Sequence, residues 1–350
     1  MHTSFVQHLS KKVDLVDNAE VSIDMLIPNM ANGWWQGQRK IVFTMWETNV
    51  LPATYHEYIP MFDQVLVPCE HNRELFAQYH DNVAVVPLGV DEKFWKPVER
   101  EPNERFRFLA GGSHWKRKGL DAVVEAWTQL NPAGAELVIK GTPDTIGGIP
   151  ELDHKSIFVY KEWMSMEEER GLYRSADCFI AASRGEGWGL MPLQAMCAGI
   201  PVLMTDTSGH RVFSHLATRI IETVEEPATY DKFYCDGLWD SPIVESLQNE
   251  ISWVLDNRDK AKEKGLAASI FARQFSWTKA TDKLLKTIQP TTGTVSMDVW
   301  QPANTARVEV TAARKVEADI GNFHIRMAKG ETQTVFPGVR DVLQDAGMIL

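Results

Sequence analysis

The sequence predicts an α/β protein of two successive units, each a sheet with flanking helices, followed by a small β-rich appendix. Three observations carry this. Short apolar runs of strand length alternate with polar or helically periodic stretches from residue 21 to residue 222. One of these runs, 177–183 (DCFIAAS), is apolar without alternation, as expected of a parallel strand covered on both faces. Directly after it, residues 185–202 (GEGWGLMPLQAMCAGIPV) set a glycine-spaced turn in front of an amphipathic helix.

The first unit, 1–98, is drawn from apolar runs at 21–27, 41–45, 65–68 and 83–87, and it ends at Lys96-Pro97 and the polar run to Arg105. The second, 99–275, has more regular spacing, with strands at 106–111, 136–141, 157–160, 177–183, 201–205 and 218–222. Between its first two strands, Leu120, Val123, Val124, Trp127 and Leu130 recur at a period of about 3.6 and predict a helix. An aromatic loop with Tyr230, Phe233, Tyr234 and Trp239 follows Ile221, and Val244, Leu247, Ile251 and Val254 mark a further helix. Trp277, Ala280, Leu284 and Ile288 give an amphipathic helix within 276–290, which runs into a linker at 289–294. The appendix, 291–350, shows strand-like runs at 307–311, 323–327 and 332–336 and a short closing helix between Pro337 and Gly347.

Composition narrows the function. The chain of 350 residues, 44% hydrophobic and 24% charged, is globular and long enough for two cores. A net charge of -11 argues against nonspecific nucleic-acid binding, which draws its affinity from phosphate neutralisation. Cys69, Cys178, Cys197 and Cys235 are far apart and form neither a zinc nor a disulfide pattern, in keeping with a reducing cytoplasm. The first residues lack the apolar core of a signal peptide, and no apolar run reaches the ~18 residues of a membrane span, so no integral membrane contact is expected.

The turn at 185–190 has the chemistry of an anion site. Gly187 and Gly189 let the backbone approach a ligand, and a helix beginning near Leu190 aims its free N–H groups and positive dipole end at it. Gly199 then stops the helix and Pro201 opens the next strand. Upstream, Arg105, Arg107, Lys116, Arg117 and Lys118 stand without an acid between 105 and 120. The functional reading of this run is a phosphate clamp, but for a generic basic run a solvated helix start is favoured, and for Arg105 and Arg107 that reading stands.

The strings Glu186-Gly-Trp-Gly-Leu, Gln194-Ala-Met and Gly199-Ile-Pro-Val, with PLGVDEKFWKP (87–97), FLAGGSHWKRKGLD (108–121) and LYRSAD (172–177), together resemble the family 4 retaining glycosyltransferases of GT-B fold. The resemblance covers roughly residues 40 to 290. It implies two Rossmann-like domains facing a cleft, the N-terminal on the acceptor side and the C-terminal binding a nucleotide sugar, with the last helix of the core crossing back to the first domain. It further implies that Glu186 hydrogen-bonds the donor sugar, that Gly187, Trp188, Gly189 and Leu190 surround sugar and phosphates with their backbone, and that Gly112, Ser113 and Lys118 belong to the phosphate site.

The departures from the family matter as much. Ser113 stands where an Arg is common, so Lys116 or Arg117 must supply a second cation. Gln194 replaces a Glu that holds the ribose diol, and an amide offers one acceptor oxygen where a carboxylate offers two. The family's glycine-rich turn near the N-terminus is missing. Its N-domain His is also absent, and Trp46-Glu47-Thr48 occupies that place, leaving Glu47 as the candidate polar group or as an ordinary strand-end carboxylate. Asn32-Gly33-Trp34-Trp35 reads either as an acceptor-side loop or as packing beneath one. No DxD pair or clustered His/Asp set calls for a metal, and no cofactor is implied beyond a nucleoside-diphosphate sugar as donor.

Three functions are therefore in view. The leading one is sugar transfer from a nucleoside diphosphate to a hydroxyl of a glycan or protein. The appendix faintly resembles small bacteriophage modules, which motivates a phage DNA glycosyltransferase acting on hydroxymethylated pyrimidines in the host cytoplasm, the appendix making a protein contact. Gln194 and the missing His motivate a non-catalytic nucleotide-sugar or glycan binder.

Overall fold

A computed structural model gives the fold, and it describes residues 21–28, 39–97, 103–228, 234 and 237–288, with the backbone of five strands between 297 and 335. The first sheet is parallel, with β1 (Val21–Met25), β2 (Arg39–Phe43), β3 (Gln64–Val67) and β4 (Val83–Val85) side by side in chain order. Every residue of β3 is buried, as a central strand covered on both faces requires. The short helix α1 (Ala53–His56) lies between β2 and β3, and α2 (Glu70–Phe76) between β3 and β4.

The second sheet has a different order. Its strands are β5 (Phe106–Gly111), β6 (Ala135–Lys140), β7 (Ile157–Tyr160), β8 (Cys178–Ala181), β9 (Val202–Thr205) and β10 (Arg219–Ile221), arranged β10-β9-β8-β5-β6-β7 and all parallel. The chain starts in the middle at β5, runs outward to β7, and returns to β8 on the other flank of β5. Ligands of open parallel sheets bind outside the carboxyl ends of the strands at such a reversal.

The connecting helices follow from their apolar spacing and caps. Helix α3 (Leu120–Leu130) buries Leu120, Val123 and Trp127, and Val124 and Leu130 pack against the same cluster. Helix α4 (Met166–Arg174) is opened by a reciprocal capping box between Ser165 and Glu168. Helix α5 (Leu190–Cys197) follows β8 and is closed by Gly199, whose φ of 74° is left-handed. Helix α6 (Val244–Asp256) leads to α7 (Arg258–Ala272), which hydrophobic periodicity did not foresee because its buried face is Ala261, Gly265, Ala268, Ser269 and Ala272. Small residues carry little hydrophobic signal, yet they let the helix approach: a Cβ on Gly265 would lie 2.6 Å from the Pro201 nitrogen.

The expected aromatic loop after Ile221 is instead an antiparallel hairpin, β11 (Thr223–Pro227) with β12 (Leu238–Pro242). Trp239 and Ser241 of β12 turn inward, so Trp239 belongs to a strand. Tyr230 and Phe233 lie outside the described residues, as do residues 32–35, the linker at 289–294 and the closing helix expected between Pro337 and Gly347.

Helix α8 (Trp277–Ile288) returns to the first sheet. Arg39 Nη1 donates to the Ile288 carbonyl at 2.9 Å, and Ala280 and Leu284 line an apolar crevice with Ile23, Phe43 and Leu88. One core cluster joins Ile41 and Leu66 of the first sheet, Phe179 and Met204 of the second, and Leu284 and Leu285 of α8. Beyond it, β13 (Met297–Asp298) and β15 (Val316–Ile320) both pair antiparallel with β16 (Phe323–Met327), and β14 (Val308–Thr311) pairs with β17 (Thr332–Val335).

Candidate active site at the strand reversal

The loops leaving β5 and β8 meet where the strand order reverses. Lys118 Nζ, from the first loop, lies 2.5 Å from Glu186 Oε1 of the second, and the same oxygen accepts the Ser183 hydroxyl at 2.7 Å. Arg117 Nη1 donates to the Gly185 carbonyl at 2.9 Å and stands 3.4 Å from Glu186 Oε2. Glu47, from the end of β2 in the first sheet, approaches that guanidinium to 3.8 Å through Oε1, and its Oε2 accepts the Tyr234 hydroxyl at 3.3 Å. Two carboxylates and two cations from three separate loops thus form one cluster.

The cluster is mostly closed from solvent, with side-chain exposures of 15% for Lys118, 12% for Arg117, 16% for Glu47 and 6% for Glu186. Burial works against every charge, and the partners decide the outcome. Burial would raise the Glu186 carboxyl, but Lys118 and Arg117 outweigh it and hold the group far below the usual carboxylate range. Burial dominates at Glu47 and pushes it up against the pull of Arg117. Lys118 is pulled down by burial despite Glu186, whereas Arg117, flanked by both carboxylates, is held above its ordinary value.

A frame of hydrogen bonds positions these groups. The Arg184 guanidinium donates to the Lys116 carbonyl at 2.5 Å and to both oxygens of Asp121 at 2.8 and 3.1 Å, and its backbone N–H donates to the Arg117 carbonyl at 2.7 Å. Lys116 pairs with Asp121 at 2.7 Å, outside the cluster, whose second cation beside Lys118 is Arg117. Gly112 backs onto the Lys118 stem, where a Cβ would come within 2.6 Å of Lys118 Cγ. Ser113 is exposed, and its carbonyl accepts the Ile146 N–H at 2.8 Å.

The turn before α5 is gripped from the first unit. Asn72, fully buried on α2, donates to the Gly187 carbonyl at 3.3 Å and accepts the Trp46 N–H at 2.5 Å. The Cys69 thiol donates to the same carbonyl at 3.4 Å. The Trp188 ring turns into the core, edge-on to Phe213 and Phe275, so any contact with a ligand falls to its main chain. Gly189 has φ of 105°, and a Cβ there would lie 2.6 Å from the His210 ring, so both conformation and space demand glycine. Leu190 is the first residue of α5. Gln194, one turn further on, accepts the Tyr173 hydroxyl through Oε1 at 3.4 Å and makes no bond to the cluster.

Asn72, Ser183, Arg184, Ser208 and His210 were not singled out from the sequence. Ser208 accepts the Glu186 N–H at 2.7 Å, and His210 lies against Gly189. Both follow the carboxyl end of β9, beside the reversal, and that position was the available signal. Among the described residues, no group of three or more His, Cys, Asp and Glu side chains is placed to hold a metal, and no helix is long and apolar enough to cross a membrane.

Two parallel α/β sheets with a polar cluster at the strand ends of the second define the class: the architecture is that of a GT-B glycosyltransferase. Sucrose-phosphate synthase from Thermosynechococcus elongatus superposes with a TM-score of 0.60 at 13% identity, over 81% of this chain and 76% of that one. HepE of Anabaena, solved in complex with UDP and glucose, gives 0.54 at 12% identity over 71% of each chain. In sequence the chain belongs to the family described as family 4 glycosyltransferases in conflict systems, which matches residues 69–284. It is also 25% identical over 238 residues to a protein of the Sulfolobus islandicus filamentous virus (isolate Iceland/Hveragerdi) named as a glycosyltransferase, covering 64% of this chain and 66% of that relative. The chain spans about half to two thirds of the length of the curated relatives it matches.

Proposed function

We propose that the protein transfers a sugar from a nucleoside diphosphate to a hydroxyl acceptor with retention at the anomeric carbon, and that the acceptor belongs to a glycan or protein. One observation carries the reading: in a chain of this family, Lys118, Arg117 and Glu186 converge in front of α5, at the reversal of strand order. Residues 1–98 then form the acceptor side and 99–275 the donor side. Lys118 and Arg117 stabilise the charge that grows on the leaving diphosphate, assisted by the N-terminal dipole of α5. Glu186 accepts from donor hydroxyls once Lys118 turns to the phosphate. Glu47 faces the same centre from the acceptor side. The acceptor's proton passes to an oxygen of the leaving phosphate, so this reading assigns no side-chain base. UDP bound to the Anabaena neighbour supports a nucleotide donor without fixing its base here.

The relative from a virus is the observation that favours a second reading, in which the acceptor is a hydroxymethylated pyrimidine in DNA. The net charge of -11 weighs against it.

The test is a screen of UDP-, ADP- and GDP-sugars for thermal stabilisation and for release of nucleoside diphosphate, with Glu186→Gln beside the wild type. A donor at 100 times its dissociation constant adds about 2.7 kcal/mol of stability. Turnover is expected to fall at least about tenfold in Glu186→Gln, equivalent to roughly 1.4 kcal/mol of transition-state stabilisation. Stabilisation without release would instead identify a binding protein. Product NMR reads the anomeric outcome, and hydroxymethylated DNA against oligosaccharides separates the acceptors.

A further inference from the structure

His210 is fully buried on the turn after β9, and its Nε2 has no hydrogen-bond partner among the described residues. Its other nitrogen, Nδ1, lies 3.2 Å from the Thr205 carbonyl oxygen. A carbonyl only accepts, so Nδ1 must carry the proton, and in the neutral ring Nε2 is left as a bare acceptor. Burial, with Lys118 and Arg117 nearby, lowers the imidazole to about 4 despite the pull of Glu186, so the ring is neutral near pH 7. An uncompensated buried acceptor of this kind is uncommon in native structures and is costly unless something fills it.

Its location says what could. The ring packs over Gly189 at the N-terminus of α5, with Cδ2 2.6 Å and Nε2 2.9 Å from where a Gly189 Cβ would be. Phe213 flanks it at 6.1 Å between ring centroids, and Glu186, Lys118 and Arg117 are the charged groups acting on it. Gly209, its neighbour in the chain, lies directly against the main chain of Glu186 and Gly187 and donates its N–H to the Glu186 carbonyl at 2.8 Å. The imidazole is thus fixed to the same few residues as the Glu186 carboxylate. That carboxylate is engaged by a cation and a hydroxyl, Lys118 and Ser183, while Nε2 has no partner among the described residues.

We propose that His210 is a donor-specificity residue, its neutral Nε2 accepting a hydrogen bond from a hydroxyl of the donor sugar beside the one held by Glu186. The inference rests on the glycosyltransferase reading above and adds to it the group that selects the sugar. A carboxylate and a neutral imidazole held on the same few residues form an acceptor-only set, suited to sugar hydroxyls and hostile to a sugar that presents an acceptor at either place. Lys118 leaves Glu186 as the diphosphate arrives, and the sugar hydroxyls replace it.

The experiment takes whichever of UDP-glucose, UDP-N-acetylglucosamine, ADP-glucose and GDP-mannose the wild type turns over best, and compares it with its 3-deoxy and 4-deoxy analogues. Release of nucleoside diphosphate is followed for wild type, His210→Leu and His210→Gln, with a thermal melt for each. A site built around a hydroxyl rejects the analogue lacking it by a large factor, so the wild type should disfavour one deoxy donor by about 100-fold or more in kcat/KM. His210→Leu should shrink that one ratio to about tenfold or less while the other ratio holds. His210→Gln, whose amide oxygen can reach the place of Nε2, should restore part of it. A purely structural role would lower activity on all donors alike and leave both ratios unchanged in His210→Leu, which overturns the proposal while the glycosyltransferase reading stands. Neither binding nor release of any of the four donors by the wild type overturns both.

Discussion

The two sheets are built of the same strand type and in the same parallel sense, yet they contribute very unequally to the site. The first runs β1 to β4 in chain order, without a reversal among its described strands, and supplies one charged group, Glu47, from the end of β2. The second reverses between β5 and β8, and the two loops that meet there supply Lys118, Arg117 and Glu186. The same contrast appears in the two carboxylates. Both are buried, but Glu186 has an ammonium at 2.5 Å and is driven down, whereas among the described residues the nearest cation to Glu47 is at 3.8 Å and burial drives it up. Desolvation is common to both; the distance to a partner decides which way each moves.

The largest effect should come from breaking the tighter of the two pairings. Lys118→Ala leaves Glu186 buried with the Ser183 hydroxyl and, as its remaining cation in the cluster, Arg117 at 3.4 Å, and removing one partner of a buried pair costs about 3–5 kcal/mol. Denaturant unfolding should show that loss, and donor KM should rise by a hundredfold or more. An unchanged unfolding midpoint would mean that the pair adds nothing to stability. Next comes the seam between the two units. In Gly185→Ala the new Cβ would sit 2.0 Å from the Glu47 carbonyl oxygen, so the two sides must separate, at about 1–3 kcal/mol and with a marked loss of turnover. Gly171→Ala, with open space around its Cβ in α4, is the matched control and should be stabilising by up to about 1 kcal/mol.

Acid should separate the groups around the turn before α5. His210 is held at about 4 against an ordinary value of 6.5, so below pH 6.5 the unfolded chain takes up a proton that the folded one refuses. Stability is therefore complete above that value and falls as pH drops towards 4, by roughly 3 kcal/mol in all. The Glu186 contribution lies lower: its folded value is depressed, so its stabilisation is present above about 4.3 and is lost only on further acidification. Glu47, shifted upward, opposes both, because protonation relieves it. Unfolding free energies measured at several pH values should therefore slope less steeply in His210→Leu than in wild type. The smallest effect is expected from Glu47→Gln. Its carboxylate is the one whose partners do not offset burial, so the melting temperature should stay within a few degrees while turnover drops severalfold. A large destabilisation would make Glu47 a structural counter-ion of Arg117.

Much of this was legible in the sequence. The continuous apolar run at β8, the 3.6-residue period of α3 and the glycines around α5 are local signals, and local chemistry determines them. That Lys118 and Glu186 belong to one polar site was also legible, because both lie in short strings whose residue types suit a phosphate and a sugar. The rest belonged to tertiary structure. Helix α7 packs through alanine and glycine, and the β11–β12 hairpin pairs residues on either side of a loop, so neither announces itself by hydrophobic period. Equally, nothing in the order Lys116-Arg117-Lys118 says that the first turns to Asp121 while the other two turn to Glu186. That depends on Arg184 bracing the loop, and on a partner 68 positions away in sequence that only the reversal of strand order brings within hydrogen-bonding distance. The sequence by itself determined which groups could carry the chemistry. The fold decided which of them meet and, through burial and distance, which way each one's pKa moves.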